Sequence, residues 1–289
     1  MNLNSRVDDA LGIGGRMFSL AAMAGLIIFL IGIGLKPLLP FGLPRGDAGR
    51  MLFQLIIVFG LTVAHIATVI IFDRGKWAIG GFDALAFRPV RLLIGAGTGA
   101  LVGAVPAAAI LAASLGTVTV NAGQPLPGRA IDVAMAILVF AAVEEIAVRG
   151  YLAGIVEDRW GGLAALVLSA LAAMGLHLVR GGAPEPLALA GAGALGLTLG
   201  GLRVATGGIA AGLLAHVAFD TVRVMAFGEP SLAVGQLKGG DAVWHGGDPV
   251  WLTGGADGAS SGAVGILLSV VITFLLFRSR ARFPRTERT

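Results

Sequence analysis

Apolar stretches long enough to cross a lipid bilayer recur eight times in this chain, at about residues 17–39, 51–72, 92–115, 130–157, 161–179, 186–202, 205–227 and 262–278. A helix rises about 1.5 Å per residue, so roughly 20 apolar residues match the hydrocarbon thickness. No water is available there to satisfy backbone N–H and C=O groups, which leaves the helix as the fold for spans of this length. The sequence therefore predicts an all-α, polytopic integral membrane protein of about eight transmembrane helices, one transmembrane domain over residues 1–289. Composition agrees: 56% of residues are hydrophobic and 13% charged, against about 25% charged in a soluble domain. The 46 glycines are expected where helices pack through small faces. Cysteine is absent, which excludes disulfides, thiolate metal sites and cysteine nucleophiles.

The first stretch is read as a span and not a cleaved leader. Asp8 and Asp9 spoil a basic n-region, and no small-residue cleavage pattern follows. With the N-terminus inside, thirteen Lys and Arg fall on the inner side and six on the outer, so both termini are expected in the cytoplasm. The net charge of +4 reflects basic residues in loops and in the tail 278–289, and no nucleic-acid partner is expected. The linker 73–91 mixes aromatic and basic residues and reads as an interfacial segment or a plain inner loop. The Gly-rich stretch 228–261 carries two tryptophans and is expected outside, with the tryptophans as interfacial anchors and a gating role open. No internal repeat supports an inverted-repeat transporter.

Ionisable groups at membrane depth are costly and mark function or a structural polar network. Asp132 and Glu157 lie near span ends, and His65 stands alone on an apolar helix, where a helix–helix hydrogen bond is the plain reading. The others gather in three spans within about 130–227, the expected catalytic core. Counting from the inner ends, Glu144, His177, His216 and Asp220 reach depths of roughly 16–24 Å. His216 and Asp220 are i,i+4 and share a helix face, as do Glu145 and Arg149. Glu144 points about 100° away from Glu145. Glu145 can then pair with Arg149 while Glu144 faces the histidines across the bundle. Glu and His together can hold and deprotonate a water, and a second His with an Asx-type side chain can stabilise an oxyanion. Spacing alone leaves open a water-using hydrolase, a proton relay and a structural network.

At these residues the chain resembles the CAAX prenyl protease and bacteriocin-processing (CPBP, Abi) family of intramembrane glutamic endopeptidases. "EEIAVRG" (144–150) matches the family's E-E-x-x-x-R-G, with Tyr151 following and Val148 where Phe is common. "AMGLH" ends at His177 but has Ala173 where the second motif carries Phe, and "HVAFD" (216–220) matches H-x-x-x-N/D. The resemblance covers about residues 130–227 and implies that Glu144 activates water, His177 positions it, and His216 and Asp220 stabilise the oxyanion. Glu145 and Arg149 would support them from behind. It implies a membrane-associated or lipid-modified peptide or protein as substrate, cleaved without a cofactor, in a cell membrane (the inner membrane if the source is bacterial). Asp220 departs from Asn: an ionised Asp cannot donate a hydrogen bond, so it must be protonated, orient His216, or be neutralised by Arg223. Zinc is the competing chemistry, since Glu and two His are ligand types, but no H-E-x-x-H is present. A non-catalytic scaffold or bacteriocin self-immunity protein, and a proton-coupled transporter, are the alternatives to a protease.

Overall fold

The computed structural model describes residues 3–35, 37, 47–120, 126–181, 185–232 and 242–280. Most of the basic tail and the stretch 233–241 of the Gly-rich segment lie outside them, as do Lys36, Arg45, Lys238, Arg282, Arg285 and Arg288. The protein is all-α apart from one small sheet, and every expected span coincides with a helical segment. In chain order these are α1 (Leu3–Leu35), α2 (Asp47–Asp73), the short α3 (Trp77–Gly80), α4 (Pro89–Ala112), α5 (Leu126–Glu144), α6 (Tyr151–Gly181), α7 (Pro186–Thr206), α8 (Ala210–Thr221), the short α9 (Val250–Thr253) and α10 (Ala263–Ser279). By length and composition alone, four helical stretches among the described residues are long and apolar enough to cross a bilayer: Gly12–Leu35, Met51–Asp73, Pro89–Ala112 and Pro186–Thr206. The others carry the polar groups of the site or are shorter. Lipid-facing apolar side chains such as Phe18, Phe29, Phe59, Leu93, Leu267 and Phe274 are more than half exposed, as a bilayer-embedded surface requires.

Local chemistry sets the breaks. Pro89 and Pro186 open α4 and α7 at their first turns, where the missing N–H costs nothing. Gly207 ends α7 in the left-handed conformation at φ 78. Within α6 the backbone leaves helical geometry at Gly161, φ 83 and ψ 172, which only glycine adopts easily. The chain folds back there, so Ser169 on the second arm meets Arg149 from before the turn. This one residue separates the fourth and fifth expected spans.

The linker 73–91 is neither a free loop nor a purely interfacial segment. Ile79, Gly80 and Ala86 are buried, and the Arg203 guanidinium reaches into α3, donating to the carbonyls of Ile79 (2.9 Å) and Ala78 (3.3 Å). Glu157, expected at a span end, is buried with an oxygen 3.8 Å from Arg203. Opposite the termini, β1 (Gly116–Val120) pairs antiparallel with β2 (Ala242–Gly246). Trp244 of β2 is no interfacial anchor: it is buried against Ala107, Ile110 and Ala259, and its indole N–H donates to Gly255 O at 3.0 Å. Trp251 is 62% exposed.

In lipid, apolar burial gives little drive for helices to associate, so close packing through small residues does the work. Gly95 and Gly99 of α4, one turn apart, lie against the Ala211 and Ala215 backbone of α8, and a methyl at either would run into those carbonyls. The same face continues to Gly103 against Phe219. The helix that bears His216 and Asp220 is thereby pressed onto α4 along its whole length.

Candidate active site

Glu144 is the last residue of α5, and directly after it the helix widens into a π-helical turn, Glu145–Gly150. A second π-helical turn, Val222–Ala226, begins two residues after Asp220. Such turns are rare and tend to sit at functional positions. The first is met by outside partners at its end. His65 Nδ1 accepts from Tyr151 N–H at 3.3 Å and its Nε2–H donates to Gly80 O at 3.1 Å, partners that assign the tautomer. Arg203 Nε donates to Arg149 O at 2.9 Å. Backbone groups at a departure from the regular helical ladder require partners of this kind in a membrane interior. Gly150 lacks a side chain because His65 occupies the space, an added Cβ lying 2.5 Å from the ring. His65 is thus the helix–helix hydrogen bonder of the plain reading.

Glu145 is wholly buried. Its Oε1 accepts from Arg149 Nη1 at 3.2 Å, the intrahelical pair expected from the spacing. The same oxygen lies 3.3 Å from His216 Nδ1, a link that the i,i+4 spacing does not reveal. Arg149 also donates through Nε to Ser169 Oγ at 3.2 Å. This carboxylate and its Arg149 partner therefore join the first π-helical turn, the second arm of α6 and α8 around a charged centre, which offsets the desolvation of buried ions. Among the described residues Glu145 Oε2 has no hydrogen-bond partner; it faces Gly212 of α8.

Glu144 turns the other way, into a cavity of about 700 Å³ that it lines with His177, His216 and Asp220. The four residues expected to act together, drawn from α5, α6 and α8, share this one space. His216 Nε2 lies 3.6 Å from Asp220 Oδ2, so its imidazole is bracketed by carboxylates at both nitrogens, and the Phe140 ring stands edge-on to it, centroids 6.5 Å apart. Asp220 Oδ1 accepts from Ser231 Oγ at 3.2 Å and lies 3.6 Å from Arg223 Nη1. Of the three settings anticipated for Asp220, the geometry has both His216 and Arg223 as neighbours and adds Ser231. Ala173 lines the cavity and packs against Gly196, where an added Cβ would stand 2.8 Å away. An aromatic ring at 173 would not fit that contact, so the departure from the motif is matched by close packing of α6 on α7.

Described residues of the 228–261 segment close one side of the cavity. Pro230, Ser231, Leu232, Asp257 and Ser260 line it, and Arg223 holds the wall together by donating to Glu229 Oε2 (2.7 Å), Pro230 O (3.1 Å) and Asp257 O (3.4 Å). Buried Glu229 in turn accepts from Ala259 N–H at 3.1 Å. Glu229, Ser231 and the wall they build carry no motif; the one available signal was a lone acid directly after a span. At the mouth, Asp257 has its pKa raised by burial and by nearby Glu185, against a lowering by His177 and Arg223. Asp132 is exposed on α5, away from this cavity. Among the described residues no three His, Asp or Glu side chains are grouped to hold a metal ion.

Comparison with known proteins adds one match. Residues 126–222 fit the family model described as type II CAAX prenyl endopeptidase Rce1-like. Curated proteins and solved structures returned no match. The matched segment opens at the start of α5 and ends two residues past Asp220, so it holds Glu144, His177, His216 and Asp220, the first π-helical turn and the first residue of the second. Over that segment the chain is similar to the type II CAAX prenyl endopeptidases, a protease family.

Proposed function

We propose that this protein is an intramembrane endopeptidase, a single transmembrane domain that hydrolyses a peptide bond with water activated by Glu144. The observation that carries the proposal is the convergence of Glu144, His177, His216 and Asp220 on one cavity while Glu145 is drawn away into the Arg149 pair. Water held between Glu144 and His177 loses a proton to the Glu144 carboxylate as its oxygen bonds to the scissile carbonyl carbon. The resulting oxyanion is stabilised by the His216 imidazole, which shares the cavity with Glu144 and is held between Glu145 and Asp220. Collapse of the tetrahedral species breaks the C–N bond, and the proton on Glu144 passes to the leaving amine. Asp220, acceptor from Ser231 and neighbour of Arg223, acts by orienting His216 and not as an oxyanion donor. No cofactor enters the scheme.

The substrate in this reading is a membrane-associated or lipid-modified peptide or protein. It enters from the side of the 185–186 and 228–261 segments, opposite the chain termini, because residues of those segments form the cavity mouth. With both termini cytoplasmic, as the charge count favours, that mouth faces the outside of a cell membrane.

The test compares purified wild type and Glu144→Gln on a library of membrane-anchored peptides, with and without a strong chelator. General-base catalysis contributes about 10²–10⁴-fold, so the expected result is cleavage by wild type, a loss of that size in the variant, and indifference to chelation. Loss on chelation would move the chemistry to a metalloprotease. Equal activity of the two proteins would remove Glu144 from the mechanism. A non-catalytic scaffold keeps the same polar cluster for folding, and predicts that biological function survives Glu144→Gln.

A further inference from the structure

A second cleft lies on the opposite face, at the level where the spans end on the side of the chain termini. Its volume is about 320 Å³, and its lining includes Arg16, Arg74, Lys76 and Arg159, with Asp73 and Asp158 as the acids. One of those acids is already committed. Asp73 Oδ1 accepts from Arg16 at 2.6 Å and its Oδ2 accepts from the Tyr151 hydroxyl at 2.5 Å. Among the described residues the cleft is also lined by Arg74, Lys76 and Arg159, all exposed, with Asp158 as the second acid. The cleft is therefore net cationic in a chain with few charges to spare.

Its surroundings are those of a membrane interface. Trp77 is 40% exposed and Trp160 is 46% exposed, each adjacent in sequence to a lining cation. Phe72, on the cleft wall, is 38% exposed. Indole rings exposed at the ends of spans sit at headgroup level, and basic pockets between helices at that level suit phosphate-bearing headgroups. Arg74 adopts a left-handed backbone at φ 52, an unfavourable conformation for a residue with a side chain. That turn holds the guanidinium at the cleft between the end of α2 and the start of α3.

We propose that this cleft binds the phosphate of an anionic phospholipid headgroup, with Arg74, Lys76 and Arg159 supplying the charge and Arg16 the floor. The site is separate from the cavity that contains Glu144 and does not depend on the hydrolytic reading. Its floor nonetheless touches the catalytic helix, because Arg16 and Asp73 both hydrogen-bond Tyr151, the residue after the E-E-x-x-x-R-G motif.

The experiment uses the full-length protein, delipidated in mild detergent, and measures lipid retention by native mass spectrometry beside thermal unfolding. Dioleoyl-phosphatidylglycerol, dioleoyl-phosphatidylcholine and inorganic phosphate are added separately. Each basic residue near an anionic surface is worth about 1 kcal/mol, so the exposed triple variant Arg74→Ser, Lys76→Ser, Arg159→Ser should bind phosphatidylglycerol roughly 100-fold more weakly. The expected result is retention of phosphatidylglycerol over phosphatidylcholine by wild type, with a raised unfolding temperature, and loss of both in the variant. Stabilisation by inorganic phosphate to the same extent would keep the phosphate site and move its ligand from the bilayer to solution. Equal retention of the two lipids, or an undiminished preference for phosphatidylglycerol in the variant, would overturn the proposal. The variant's side chains are exposed, and its unfolding temperature without lipid serves as the folding control.

Discussion

Removing Arg149 while leaving Glu145 in place should be among the most damaging single changes in this protein. The two side chains are 1% and 0% exposed and meet at 3.2 Å. In Arg149→Met, Glu145 keeps only the imidazole of His216 at 3.3 Å, and its Oε2 already lacks a partner among the described residues. Ser169 loses its guanidinium donor as well. A buried charge stripped of its counter-ion costs about 3–5 kcal/mol. Unfolding entropy near 2.1 cal/mol/K per residue over 289 residues makes that about 5–8 °C in Tm. The second half of the cycle separates charge from packing. Glu145→Gln in the Arg149→Met background removes the orphaned charge at almost constant volume and should recover more than half of the loss, whereas Glu145→Gln alone leaves Arg149 unneutralised and is itself destabilising. Thermal unfolding of the four proteins in one detergent gives the coupling energy directly. The reasoning is refuted if Arg149→Met melts within 1 °C of wild type, or if the double variant is no more stable than Arg149→Met.

Three further outcomes follow from contacts described above. Gly99→Leu should break the α4–α8 contact, because the new side chain meets the Ala215 backbone, while Gly97→Leu, with nothing within 4 Å of an added Cβ, should behave as wild type; size-exclusion profiles and melting curves in detergent tell them apart. Gly212→Ala would put a methyl 2.7 Å from Glu145 Oε2, displacing the carboxylate that holds both His216 and Arg149, so peptide cleavage should fall about tenfold or more together with a drop in Tm, and undiminished cleavage would show that the Glu145–His216 contact is not needed. Asp257 has its pKa raised above the ordinary 3.8, which means the folded protein favours its protonated form. Its contribution to stability is then complete at pH below 3.8 and lost as pH rises through the raised value. Asp257→Asn should flatten that part of the pH–stability curve and be slightly the more stable protein at neutral pH, and a variant curve parallel to wild type would contradict this.

The helices were readable because bilayer thickness and backbone hydrogen bonding leave so few alternatives, although α1 begins at Leu3, well before the apolar stretch expected from 17. Glu144, Glu145, Arg149, His177, His216 and Asp220 stood out because ionisable groups are rare at membrane depth, and the i,i+4 spacing was enough to pair Glu145 with Arg149. Other features gave no comparable signal. Trp244 reads as an interfacial anchor by composition yet is buried under the outer segment, and the 73–91 linker reads as a loop until Arg203 fastens it to α3. Nothing in the stretches 145–150 and 222–226 announces a π-helical turn, which is stabilised by partners far along the chain such as His65.

What the sequence determined by itself is therefore whatever depends on solvent and on neighbours within a turn or two: an all-α membrane protein, the three motif-bearing helices, and the division of the adjacent glutamates onto different faces. Tertiary structure decided what depends on partners 54 to 135 residues apart: the link from Glu145 to His216, the stapling of the π-helical turn by His65 and Arg203, and the basic cleft assembled from α1, α2, α3 and α6. A side chain's spacing along its own helix fixes its direction, but which group it meets there is set by how closely the glycines let the helices approach.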